Sequence, residues 1–117
     1  MQSTATDEEI GSLIASARPM SIAMLRWADG RHQEGADVIE QQHQGRMVGM
    51  HRDRVISVLT PIESDGPCGV ALFEATPDEV REIMRDDPCV VAGMMTVEVH
   101  PCLAFPEDRI PPVSKGR

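Results

Sequence analysis

The chain has 117 residues and a formal net charge of −8, from 11 Lys and Arg against 19 Asp and Glu. That length suits one compact domain, and the acidic balance argues against a polyanion, so nucleic acid is not expected as a partner. With 41% hydrophobic and 26% charged residues the composition is that of a folded chain rather than a disordered one.

No apolar run approaches the ~20 residues that span a bilayer, so no membrane partner is expected. The opening stretch MQSTATDEEIGSLIASARP is acidic where a secretory leader would be basic and then apolar. Cys68, Cys89 and Cys102 form an odd set without CxxC spacing and read as reduced thiols. These features predict a cytoplasmic protein.

Residues 1–19 read as a helical extension. Thr6 is a capping residue, Asp7, Glu8 and Glu9 suit a helix N-terminus, and Ile10, Leu13, Ile14 and Ala17 form one apolar stripe. Pro19 is expected to stop that helix, which is too short to persist in water without docking. Ser21 to Trp27 reads as a first strand and Ala28 to Gly35 as a polar loop. A helix is predicted from about Ala36 to Met50, with Ile39, His43, Met47 and Met50 on one face; Gly45 and Gly49 weaken it unless close packing compensates.

Arg54 to Thr60 is a β-branched second strand, Pro61 to Pro67 a turn, and Cys68 to Glu74 a third strand. Thr76-Pro77-Asp78-Glu79 carries a capping box with Pro at the first helical position. Val80, Ile83 and Met84 supply that helix's stripe, and Asp86-Asp87-Pro88 ends it. Gly93 opens a last strand to about Cys102, in which Met95, Val97 and Val99 alternate with polar residues. The tail, residues 105–117, reads as a loose surface segment.

The main domain, residues 20–104, therefore runs β-α-β-β-α-β, a ferredoxin-like α+β arrangement with a four-stranded antiparallel sheet. Two helices cover one face of such a sheet. The first three strands are apolar on both faces, so a homodimer packed sheet to sheet is expected to bury the other.

Several of these residues carry a resemblance to a known family. His43 on the first main helix, Thr60-Pro61 closing the second strand, Asp87-Pro88-Cys-Val-Val-Ala-Gly93 and Val97-Glu-Val-His-Pro101 resemble the YCII-related (YciI-like) family, over roughly residues 20–104. The resemblance implies a dimeric α/β barrel, with His43 and Asp87 as an acid–base pair and no cofactor. It also implies a lyase-type reaction on a small hydroxylated aromatic, such as dehydrochlorination of a chlorinated hydroxyhydroquinone. The chain departs from the family's usual Gly-Pro at Thr60-Pro61, and its helix glycines are unusual.

Each candidate also has an ordinary structural reading. His43 could be a core histidine hydrogen-bonded to backbone, and Asp before Pro commonly ends a helix. Arg26 and Trp27 end the first strand, where they could line a pocket mouth with Thr60, Trp27 offering a stacking face, or could simply pack. Glu8, Glu9, Glu40 and Glu82 read as solvated helix faces. His100 and Cys102 share one side of a strand, but no second close ligand pair completes a zinc set. No metal or organic cofactor is expected, since there is no HExxH, paired CxxC or Gly-rich phosphate loop. Two functions stand side by side: an acid–base enzyme, or a non-catalytic small-ligand-binding dimer.

Overall fold

In the computed structural model, residues 3–105 are described. They form α1 (Asp7–Ala15), β1 (Arg18–Trp27), a 3-10 turn (Asp29–His32), α2 (Ala36–Arg52), β2 (Ile56–Pro61), β3 (Pro67–Phe73), α3 (Pro77–Arg85), α4 (Pro88–Val91) and β4 (Met95–Ala104). The segment 106–117 of the expected tail lies outside the described residues. No helix among the described residues is long and apolar enough to cross a membrane.

The α+β fold with one four-stranded antiparallel sheet is as expected, in the order β2-β3-β1-β4. The α/β barrel is not. β2 and β4 are the two outer strands and do not pair with each other, so the sheet is open. Four strands form a twisted layer here, well short of the strand number at which barrels have a filled interior.

One face of the sheet carries the core. Ala23 and Leu25 of β1, Ala71 and Phe73 of β3, Ile56 of β2 and Val99 of β4 pack against Met47 of α2, Val80 and Met84 of α3, and Cys89 of α4. The opposite face shows half-buried Ile22, Met24, Val58, Val70 and Leu72, brought together by the register Ile22↔Leu72, Met24↔Val70 and Val58↔Leu72. α1 keeps its predicted Thr6 cap, which Glu9 completes into a capping box, but buries no residue; Ile10 and Ile14 stay about half exposed.

Two boundaries differ from expectation for physical reasons. β1 begins at Arg18, so Pro19 lies inside a strand. At that point β1 pairs only with β4 (Pro19↔Leu103), while pairing with β3 starts at Ser21. Pro19 therefore sits in an edge-like position, where a missing N–H is tolerated. Between the helix end expected at Pro88 and the strand expected from Gly93 the chain makes the one-turn helix α4, and β4 itself starts at Met95.

That helix ends in a tight turn. Gly93, at φ +74°, donates its N–H to the Val90 carbonyl, and Met94 donates to that of Cys89. This is the Schellman pattern, which favours glycine at the left-handed position. The 3-10 turn docks on it: Gly30 donates to the Gly93 carbonyl at 3.0 Å, and a side chain at Gly30 would meet that same oxygen at 2.7 Å. Gln33 Nε2 ties the two turns further by donating to Ala92 and Gly30 carbonyls, both at 2.8 Å.

Candidate functional site

His43 and Met47 are the two buried residues of α2 and mark the face turned toward the sheet. α4 starts beside that face, and its N-cap is Asp87, whose side chain is fully buried. One carboxylate oxygen accepts the backbone N–H of Cys89 at 3.0 Å and, more weakly, that of Val90 at 3.4 Å. Both oxygens lie 2.8 Å from Nδ1 of His43, which donates to them. The two candidates 44 residues apart in sequence are thus in direct contact.

Burial alone would raise the Asp87 carboxyl. The His43 bond, the imidazole's charge and the two backbone donors outweigh it and hold that carboxyl below the ordinary aspartate value. An ionised Asp87 fixes the Nδ1–H tautomer of His43 and leaves Nε2 with a lone pair. Nε2 has no hydrogen-bond partner among the described residues and is not sealed from solvent. His43 lines a cleft of about 320 Å³, and Asp87 lies behind it, outside the lining.

The cleft runs between α2 and the sheet where β2 and β3 meet. Leu25, Met47, Leu59 and Met95 give it an apolar body, and Glu40, Gln44, Thr60 and Cys68 bring polar groups. That composition, mostly apolar with a few polar groups, is typical of a small-molecule site.

Of the other sequence candidates, Thr60 lines the cleft, whereas Arg26 and Trp27 do not. Arg26 is exposed, and the Trp27 ring lies under the Arg31 guanidinium at 4.2 Å from its centroid. His100 pairs with Glu98 on the exposed strand surface.

Sequence reading missed three members of the site. Arg46 places Nη1 3.6 Å from Asp87 Oδ1 while Nη2 donates to the Ile83 carbonyl at 2.5 Å. Glu40 faces the cleft rather than open solvent as a purely solvated helix face would. Helical spacing was the available signal, since residues 40, 43 and 47 fall on one side of a helix. Cys89 is buried beside the pair, and burial together with the Asp87 charge pushes its thiol up to about 12.

His43, Asp87 and Cys89 also form the one cluster of potential metal donors found among the described residues, with donor atoms within 4.8 Å of one another. The fit to a metal is poor. The carboxylate is already engaged by an imidazole and two amides, and the thiol is strongly disposed to stay protonated. A buried His–Asp pair opening on a cleft is instead an arrangement that acid–base catalysis uses.

No protein-family model and no curated protein matches the chain. The YCII resemblance is corrected accordingly: the sheet is open, not a barrel, and no family match supports the link. The dehydrochlorination it implied falls with it. Its most specific segment, Asp87 to Gly93, has a local explanation, a one-turn helix capped by Asp, started by Pro and closed by a left-handed glycine. Any fold can use that solution.

Proposed function

We propose that the protein is a cofactor-independent acid–base enzyme of lyase or isomerase type, acting on a small ring-sized substrate held in the cleft. His43 Nε2 removes a proton from the substrate, and Asp87 holds the imidazole's tautomer and stabilises its charged form. A hydroxylated aromatic suits the site, because the apolar walls take a ring and Thr60, Gln44 and Glu40 take its polar edge. One observation carries the reading: the 2.8 Å bond from Nδ1 to a fully buried carboxylate, in a histidine that lines the cleft and whose opposite ring nitrogen has no partner among the described residues.

Nitrobenzisoxazole tests it without knowledge of the natural substrate. A base takes the ring C–H proton, the freed electron pair completes a nitrile, the N–O bond breaks, and a coloured phenolate leaves. The wild-type chain should open this ring at least about tenfold faster than folded His43→Ala, the low end of positioned acid–base catalysis. Equal rates would leave the pair a purely structural one.

We also propose that a second copy of the chain covers the outer sheet face in the cytoplasm. The support is the contiguous set Ile22, Met24, Val58, Val70 and Leu72, apolar and only half-buried. Sedimentation at micromolar concentration should give a dimer, and charge placed at Met24 should dissociate it; a stable monomer rules the assembly out.

A further inference from the structure

Glu40 lies one helical turn before His43 on α2, and both line the same cleft. It is half-buried, and its carboxylate has no hydrogen bond or ion pair with any described residue. Bringing a carboxylate toward an apolar wall without a partner is unfavourable unless something outside the fold supplies one. The two thiols near the cleft feel its charge: after burial, Glu40 adds a smaller upward push on Cys89, and on Cys68, where the charge of Arg31 pulls the other way.

No Lys or Arg among the described residues lines the cleft. The nearby cations are turned elsewhere: Arg46 toward Asp87 and the Ile83 carbonyl, Arg31 over the Trp27 ring and toward Asp65. Among the described residues the charged groups around the cleft are thus Glu40 at its wall, Asp87 behind His43 and Arg31 near Cys68, and no described cation lines the wall to receive a negative ligand.

We infer that Glu40 is the specificity residue of this cleft, accepting a hydrogen bond from an N–H or O–H of a neutral or cationic ligand and excluding carboxylates and phosphates. The inference rests on the cleft being the ligand site, as proposed above, but not on any turnover by His43. It turns a generic apolar cleft into one that reads the sign of its ligand. An apolar body next to the hydrophobic walls and one donor against Glu40 is the complementary shape.

Three probes of equal skeleton separate the possibilities: benzylamine as a cation, benzyl alcohol as a neutral donor and benzoate as an anion. Binding to the full chain near neutral pH is followed by shifts of the α2 backbone amides that flank the cleft. For the wild type, benzylamine and benzyl alcohol should bind at least about tenfold more tightly than benzoate, as expected from like-charge repulsion in a partly desolvated site. Glu40→Gln should reduce the preference for the amine over the alcohol by roughly fivefold. Glu40→Lys should place benzoate ahead of benzylamine. Both replacements are good helix formers at a partly exposed position, and the Gln variant decides alone if the Lys variant does not fold. Benzoate binding as well as benzylamine in the wild type, an unchanged order in the variants, or no binding of any probe to the cleft overturns the inference. Ring opening of nitrobenzisoxazole is scored separately, so an inert His43 with the predicted ligand order sinks the catalytic reading alone.

Discussion

Arg46 and Asp87 stand 3.6 Å apart, yet the guanidinium hydrogen-bonds a different element: Nη2 donates to the Ile83 carbonyl of α3, and Nη1 is buried with no acceptor. Arg46 thus holds α2 to α3 while its charge faces the carboxylate that holds His43. We predict that Arg46→Met costs about 1–3 kcal/mol, the range for losing a hydrogen bond from a charged donor. Arg46→Lys should recover only part of it, because one ammonium lacks the planar fork that serves both directions. Denaturant midpoints measure this, and a midpoint unchanged in Arg46→Met would show that the contact stabilises nothing.

Asp87 has two duties, and two replacements separate them. Asn is as good an N-cap as Asp, so Asp87→Asn should keep α4 and lose the ionised partner of His43. It should fold with near-native helix content and lose most nitrobenzisoxazole opening. Asp87→Ala removes the cap as well and strands the Nδ1–H, at a cost of about 2–4 kcal/mol. Full activity in Asp87→Asn would mean that only the cap matters.

Acid should destabilise the fold through the same carboxylate. Burial opposes but does not outweigh the donors around Asp87, so its folded value lies below that of the unfolded chain. Glu74 behaves alike, held low chiefly by its bond to Arg18 against burial, with help from Ser57. As pH falls below about 4, the unfolded chain binds these protons first, so stability drops with each step of acidification. The contribution is fully present above the unfolded values and is lost as pH passes through the folded ones. Urea midpoints between neutral pH and about pH 3 should fall, and less steeply in Asp87→Asn and Glu74→Gln. Parallel curves for wild type and both variants would remove these two groups from the acid limb.

Gly45 should respond oppositely to most core substitutions. It lies in the exposed interior of α2, and an added Cβ would meet nothing within 4 Å. Close packing therefore does not explain this glycine. Gly45→Ala should raise stability by about 1 kcal/mol, the helix-propensity difference. A lower thermal midpoint for this variant would contradict that account.

Local chemistry carried most of the fold into the sequence. Thr76-Pro77-Asp78-Glu79 announces α3 and forms the capping box it predicts, and the alternation at Met95, Val97 and Val99 announces β4. The His43–Asp87 contact was expected on a family resemblance that did not hold, so spacing alone had not found it. What escaped was tertiary. Asp87 as the cap of a new helix is hidden because Asp before Pro reads as a helix end, and Pro-Cys-Val-Val is too short to announce a helix of its own. Glu40 and Arg46 look like the solvated charges of a surface helix: spacing puts Glu40 on the side of His43 and Met47, but only the tertiary fold brings the sheet edge and Asp87 opposite them.

Among the described residues the open sheet leaves two strands, β2 and β4, with an unpaired side. Such margins template the addition of further strands, in this chain's own copies or in others. Both are interrupted by proline: β2 ends at Pro61, and β4 carries Pro101 in its second half, opposite Ser21. An imide nitrogen cannot donate, so an incoming strand would find gaps in the row of donors on each margin. These two prolines put a break on each margin and discourage the fibre-like stacking that an uninterrupted margin would invite.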